Sequence, residues 1–289
     1  MAPRRDGNDE KDDMRTFSAY DGFTLPVIGF GTYKLNGAEG VDAVKRAIQA
    51  GYTMLDSAFN YENEGTVGKA VRESGADRDS LQVVSKLPGR HHAHDEAIRT
   101  VEESLYRTGL DHLDLYLIHW PNPKVGRYVE AWQALIEAKQ AGIVGAIGVC
   151  NFLPEHIERL EKETGVRPVV NQIELHPYFP QEETLAYDQA HGILTEAWSP
   201  LGRGNDLLAN PTITEIAEAH DATPGQTVLA WQVARGAVPI PKAASPKRQA
   251  ENLQAADLTL EPEEVARITA LGRSDGRLAG QDPAEYEEF

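Results

Sequence analysis

Asp56, Tyr61, Lys86 and His119 are side chains of unlike chemistry that stand on or just beyond short apolar runs. Asp56 follows Tyr52-Thr53-Met54-Leu55, and Tyr61 comes one loop later, in Ser57-Ala58-Phe59-Asn60-Tyr61. Lys86 closes Leu81-Gln82-Val83-Val84-Ser85, and His119 closes Leu113-Asp114-Leu115-Tyr116-Leu117-Ile118. A carboxylate, a phenol, an ammonium and an imidazole together suit a proton donor with a tuned pKa. A free tyrosine titrates near about 10 and gives up its proton poorly at neutral pH. A lysine cation beside it favours the phenolate and lowers that value. A carboxylate behind the lysine keeps the cation charged and oriented, and a neutral imidazole N–H can hold a carbonyl oxygen in line. Reduction of a carbonyl by hydride needs such a donor for the developing alkoxide. Singly, each residue says little: a polar residue ending a strand is ordinarily just the first solvated one, and Tyr61 could equally be loop packing.

Bringing these residues together is a matter of the elements that carry them. Apolar runs of this length, spaced by helix-like segments, read as buried parallel strands. In an α/β barrel the carboxyl ends of such strands open onto one face. Strands are expected at 27–31, 52–55, 81–85, 113–118, 143–149, 169–173, 193–198 and 238–240. Between them, Val41, Val44 and Ile48 mark a helix closed by Gly51, and Val67 and Val71 one stopped at Gly75. Ile98, Val101 and Leu105 precede Gly109, and Trp132, Leu135 and Ile136 precede Gly142. Pro154 opens a helix with Ile157 and Leu160 inward. Pro211 and Pro224 open two more, with Thr223 as N-cap of the second. Further helices start near Pro246 and near Pro262, the latter with Val265 and Ile268 inward.

The alternation predicts a (β/α)8 TIM barrel with an N-terminal β-hairpin cap and a short C-terminal tail. Asp21-Gly22, between Thr16-Phe17-Ser18-Ala19-Tyr20 and Phe23-Thr24-Leu25, signals the hairpin, which would plug the barrel's bottom. An open doubly wound sheet is the fallback. Against it, no G-x-G-x-x-G opens the first helix, because Gly29-Phe30-Gly31 runs on into Thr32-Tyr33-Lys34. Residues 1–15 are almost wholly polar and are expected to be disordered, leaving 16–289 as a single barrel domain.

The chain of 289 residues sets 28 Lys and Arg against 45 Asp and Glu, a formal charge of −17. That balance disfavours nucleic acid, whose phosphates need a basic surface, and reads as solubility. The lone cysteine, Cys150, agrees with a reducing compartment. No secretory signal opens the chain, and no apolar run approaches the roughly 18 residues of a membrane helix. The expectation is a cytoplasmic monomer acting on a small molecule, with neither nucleic acid nor membrane as partner. His91-His92-Ala93-His94 invites a metal, but no Cys or carboxylate stands at a spacing that would close a zinc site. No metal is expected; a solvated loop at the barrel mouth, within reach of substrate, is.

Taken jointly, several stretches resemble the aldo-keto reductases, in the family's order from about Thr16 to about Tyr286. They are Leu55-Asp56-Ser57-Ala58 with Tyr61, Val84-Ser85-Lys86-Leu87, Asp114-Leu115-Tyr116-Leu117-Ile118-His119-Trp120-Pro121, Gly148-Val149-Cys150-Asn151-Phe152, Asn171-Gln172-Ile173-Glu174-Leu175-His176-Pro177 and Ile240-Pro241-Lys242. The tail, with Asp275-Gly276-Arg277 and Asp282-Pro283, looks like that of microbial members akin to 2,5-diketo-gluconate reductases.

The resemblance implies an NADPH-dependent reductase of aldehydes or ketones, with NADH possible but less preferred. It makes Tyr61 the acid, Lys86 its partner, Asp56 the support of Lys86, and His119 the residue that orients substrate. Tyr33 and Trp120 would wall the substrate pocket. Around the nicotinamide it places Gly31, Thr32, Tyr33, Asp56, Cys150, Asn151 and Gln172, with Trp198 stacking on the ring. Ser199, Pro200, Leu201 and Gly202 would follow the pyrophosphate. Lys242, Ala243, Ala244, Ser245, Arg248, Glu251 and Asn252 would take the adenosine end. Two positions depart from the family pattern: Cys150 and Ala243 stand where serines are usual. A thiol donates more weakly than a hydroxyl, and Ala243 removes a hydroxyl that could touch a 2′-phosphate. A regulatory protein on the same barrel is the competing reading, and the intact catalytic set favours the enzyme. A metal-dependent hydrolase lacks ligands at the strand ends.

Overall fold

The computed structural model describes residues 15–289. The expectation for residues 1–15 therefore lies outside the described residues except at Arg15, whose guanidinium donates to the Ala256 carbonyl. β1 (Thr16–Ser18) and β2 (Thr24–Pro26) form the hairpin, with Phe17 opposite Leu25. Parallel strands follow: β3 (Phe30–Gly31), β4 (Met54–Asp56), β5 (Gln82–Leu87), β6 (Leu113–Ile118), β7 (Val144–Cys150), β8 (Val170–Glu174), β9 (Leu194–Trp198) and β10 (Ala237–Pro239). They make one eight-stranded sheet in chain order. Gly29 N–H donates to Pro239 O at 3.0 Å and Gly31 N–H to Pro241 O at 3.1 Å, which joins the first strand to the last and closes the barrel.

The strand over 27–31 shortens to Phe30–Gly31. Its neighbour explains why: Pro239 and Pro241 turn toward it and have no N–H to give, so half of that ladder cannot form. Elsewhere the expected strands move by a residue or so, as at β7 and β10.

The helices are α1 (Gly37–Ala50), α2 (Glu64–Ser74), α3 (His94–Thr108), α4 (Tyr128–Gln140), α5 (Pro154–Thr164), α6 (Glu182–Ala190), α7 (Pro211–Ala219), α8 (Pro224–Ala234), α9 (Pro246–Gln254) and α10 (Pro262–Thr269). Thr223 does cap α8, accepting from Gln226 N–H, while Gln226 returns a bond to the Thr223 backbone. Helix α6 has no apolar stripe to announce it. Its buried face is Thr184, Leu185 and Asp188. Thr195 Oγ1 donates to Asp188 at 2.9 Å and Asn171 Nδ2 at 3.3 Å, and burial pushes that carboxyl up to about 8.

The barrel interior is apolar at the hairpin end. Leu25, with Phe17 and Phe23, packs on Met54, Val84, Leu115, Ala146, Val170, Leu194 and Val238. Gln82 Nε2 donates to Thr24 O at 2.8 Å and Tyr20 N–H to Gly192 O at 2.8 Å, so the hairpin is pinned across the strands' N-terminal ends. A larger cluster lies between sheet and helices, with Val44, Val67, Val101, Trp132 and Leu160 at its centre. Helices α2 and α3 meet closely: a Cβ on Gly68 would come within 1.9 Å of Thr108 O. With one end sealed and the helices packed outside, the opposite mouth is where a ligand can enter.

Candidate active site

The ladder itself delivers the site residues. Asp56 pairs with Gly31 on one side and Val84 on the other, and Lys86 pairs with Leu117. Two further backbone bonds extend the pattern past the strands: Ser57 N–H to Val84 O at 2.9 Å and His119 N–H to Leu87 O at 2.9 Å. Tyr61 sits in a 3-10 turn, Phe59–Tyr61, ended by Glu62 at φ 54. Asn63 locks this loop by donating to Thr32 O at 2.6 Å and Leu35 O at 3.2 Å and accepting from Ser57 Oγ at 2.7 Å.

The expected residues do meet. Lys86 is fully buried; its Nζ donates to both Asp56 oxygens at 2.7 Å and to Ser57 O at 2.6 Å. The same cation lies 5.0 Å from the centroid of the Tyr61 ring. His119 stands edge-on to Tyr61 with centroids 5.9 Å apart, and Tyr33 approaches from another side at 5.0 Å. Burial is the largest single effect on Lys86 and acts against its cation, but the charge and hydrogen bond of Asp56, with Tyr61 and Cys150 nearby, together outweigh it and raise the ammonium pKa.

One expectation needs correction. Lys86 does lower the Tyr61 pKa, but burial is the larger effect and Asp56 adds to it, so the phenol is pushed up to about 12. The hydroxyl keeps its proton throughout the neutral range.

Beside these residues opens a cleft of about 690 Å³, lined by Tyr61, His119, Trp198 and Lys242. It is also lined by Gly31, Tyr33, Asp56, Trp120, Asn151, Gln172, Ser199, Pro200 and Leu201, all named from the sequence. Asn151 Nδ2 donates to His119 O at 3.0 Å, and its Oδ1 accepts from Trp198 Nε1 at 2.7 Å. Gln172 Nε2 donates to Asp56 at 2.9 Å and Glu196 at 2.6 Å, which leaves its oxygen to accept from a ligand. Burial, reinforced by Asp56, raises the Glu196 pKa.

Other expected cofactor residues are not on the wall. Thr32 is buried and donates to Asp56 O at 2.7 Å. Cys150 lies in the barrel's interior cluster, where burial drives its thiol pKa well up. Ala243 and Asn252 are buried, and Gly202, Ala244, Ser245, Arg248 and Glu251 stand beyond the cleft's lining. Of these, Ala244, Ser245 and Arg248 are exposed at the start of α9.

Several residues escaped the sequence reading. Arg203 lines the cleft with its guanidinium 5.3 Å from the Trp198 ring and its Nε donating to Ser199 Oγ at 2.8 Å. From the tail come Gln281, Tyr286 and Glu288. Tyr286 packs on Trp120 with centroids 4.5 Å apart, and Glu288 Oε1 stands 2.8 Å from His119 Nδ1. The tail's Asp275-Gly276-Arg277 and Asp282-Pro283 were its signals in the sequence, and neither pointed to these three residues.

The histidine run is not simply a solvated loop. His94 is near the surface, 3.2 Å from Asp95 and 3.1 Å from Glu137, and His91 bonds Thr100 Oγ1 at 2.9 Å. His92 is buried, and burial brings its pKa down to about 4. Among the described residues no group of three or more His, Cys, Asp or Glu side chains is placed to hold a metal. No helix among them is long and apolar enough to cross a membrane.

The barrel mouth thus holds a phenol, a buried lysine behind it and an imidazole beside it. The profile of the Aldo/keto reductase family matches residues 27–273. The chain is 50% identical over 274 residues to 2,5-diketo-D-gluconic acid reductase B of Corynebacterium sp. (strain SHS752001), covering 95% of this chain and 98% of that protein. It is 39% identical over 267 residues to methylglyoxal reductase DkgA of Escherichia coli (strain K12), covering 92% and 96%. A crystal structure of a Gox0644 mutant in complex with NADPH superposes with a TM-score of 0.90 at 41% identity, over 96% of this chain and all (100%) of that one. The chain belongs to the aldo/keto reductase family. It is an NADPH-dependent oxidoreductase of carbonyl compounds.

Proposed function

We propose that Tyr61 is the proton donor of carbonyl reduction at this mouth, with His119 orienting the substrate oxygen beside it. The observation that carries this reading is the buried Lys86, bonded to both Asp56 oxygens at 2.7 Å and lying against the Tyr61 ring. A phenol that must release a proton gains from a buried ammonium at its ring. NADPH, when bound, supplies the hydride. The cleft suits it: Trp198 offers a flat face near Tyr61, Gln172 offers an acceptor, and Arg203 and Lys242 offer cations further along. Tyr33 and Trp120 also line the cleft, and the carbonyl compound would sit against them.

Residues 16–289 act as one barrel domain in this reading, as a monomer in the cytoplasm; the lone cysteine, Cys150, supports the compartment. The names of its relatives, a reductase of a diketo sugar acid and one of methylglyoxal, point to small polar carbonyl compounds as substrates. Loss of NADPH absorbance with a panel of such aldehydes and ketones tests the activity. A purified, folded chain that oxidised NADPH with none of them would overturn it.

Cofactor choice rests on the start of α9. Lys247 and Arg248 are exposed there, Lys247 is 3.6 Å from Glu251, and Arg248 is free to meet a 2′-phosphate. Ser245 makes no side-chain cap bond, so the first N–H groups of the helix also remain for an anion. Ala243 is buried and contributes nothing polar. We expect Arg248→Ala to raise KM for NADPH roughly tenfold, the loss of a charge-assisted bond, with little change for NADH. Equal effects on both cofactors in steady-state assays would misplace the phosphate.

A further inference from the structure

The tail residue Glu288 is built into the site more firmly than a surface glutamate would be. Asn122 holds its backbone from both sides, Nδ2 donating to Glu288 O at 2.9 Å and Oδ1 accepting from Glu288 N–H at 3.0 Å. Its carboxylate accepts from Gly89 N–H at 2.8 Å on one oxygen and from Asn60 Nδ2 at 2.8 Å on the other. Asn60 is in turn fixed by Arg90, which donates to its Oδ1 at 2.6 Å. The carboxylate is thereby committed to accepting, and its Oε1 also lies 2.8 Å from His119 Nδ1, somewhat off the ring's N–H axis. An unprotonated Nδ1 would set its lone pair against that oxygen, whereas a protonated one would face it; an imidazole with only the Nδ1 proton has an acceptor, not a donor, at Nε2.

Orienting a carbonyl oxygen requires a donor. We propose that Glu288 is a positioning residue for carbonyl reduction, holding His119 as an imidazolium whose Nδ1–H faces the tail and whose Nε2–H is left for the substrate oxygen. The inference rests on the reading of His119 as the substrate-orienting residue. It replaces the neutral imidazole expected from the sequence with a charged one, compensated from the chain's tail.

The surroundings allow it. Facing the pair are Tyr61, with Lys86 and Asp56 behind it, Cys150, His92 and Arg90, and on the tail Glu287, which accepts from Lys124 N–H at 2.6 Å. Burial keeps the Cys150 thiol protonated and His92 neutral. Glu288 is thus the anion that touches His119. Burial alone would raise its pKa, yet His119, Gly89 N–H and Asn60 bring it down to about 2.

The direct test is nitrogen NMR of the His119 ring in the full-length protein with NADP+ at neutral pH, assigned by comparison with His119→Asn. Two protonated ring nitrogens are expected. A single proton on Nε2 would overturn the proposal. Kinetics give a second measure. In Glu288→Gln the carboxylate charge is gone while the shape remains, so the alkaline limb of kcat should move to lower pH. KM for NADPH should stay put, and Glu288→Asp should restore part of the shift. Coincident pH profiles for wild type and folded Glu288→Gln would overturn the proposal as well. Should Glu288→Gln lower Tm by releasing the tail, the NMR result on the unaltered protein decides. A wild-type enzyme that reduced no carbonyl would sink the reading of function but leave the NMR result standing.

Discussion

Tyr61→Phe should lower kcat for carbonyl reduction by roughly 10²–10⁴-fold, the usual contribution of a positioned acid, with NADPH affinity near wild type. The phenol is held protonated, pushed up to about 12 by burial, so its hydroxyl is available to an oxygen that becomes basic as hydride arrives. Phenylalanine removes that hydroxyl and keeps the ring. Contacts of the ring with Tyr33 and His119, at 5.0 and 5.9 Å, would survive, and so should the fold. The cleft has many other lining residues, among them Gln172, Trp198, Arg203 and Lys242, which is why cofactor binding should be spared. A loss confined to kcat marks a group that acts in the transition state. Steady-state turnover together with a cofactor titration checks both halves. Undiminished turnover in the folded variant would remove Tyr61 from its assigned role.

Lys86→Met should cost both turnover and stability, for separable reasons. Turnover should fall roughly a hundredfold or more, because the one charge that lowers the Tyr61 pKa disappears and the phenol becomes a poorer donor. Stability should fall by about 3–5 kcal/mol, since Asp56 would be left as a buried charge without its cation, close to Gln172 and Glu196. Adding Asp56→Asn to Lys86→Met removes that stranded charge. The double variant should recover much of the lost Tm and none of the lost kcat. Recovery of both, or of neither, would mean that the pair has been misread.

Asp56, Lys86 and His119 were legible as candidates because each lies at or just past the end of an apolar strand, with Tyr61 on the loop after β4, and a parallel barrel sends all such ends to one rim. That logic fixes position along the chain, but less well the direction in which a side chain points. Thr32 and Cys150 sit at the right strand ends, yet Thr32 turns to the Asp56 backbone and Cys150 into the interior. Helix α6 stayed hidden because its buried face includes Asp188 and Thr184, residues that hydropathy assigns to solvent. Glu288 was less legible still. It lies in a polar tail beside Glu285 and Glu287, where any one of the acids reads as solvated. Only the fold, by setting Asn122 against its backbone, selects which acid reaches His119.

The join between β3 and β10 makes the barrel mechanically uneven. Pro239 and Pro241 contribute carbonyls to that join but no N–H, so fewer cross-strand bonds hold it than hold β5, β6 and β7 together. Fluctuations that part the ring should therefore begin there, and the Gly29 and Gly31 amides should exchange with solvent sooner than those of β6. Gly31, Ile240, Pro241 and Lys242 also line the cleft, so a ligand lying along it spans the weak join. Occupancy would then act as a clasp: a bound nucleotide would slow exchange on both sides of the opening and tighten the whole ring.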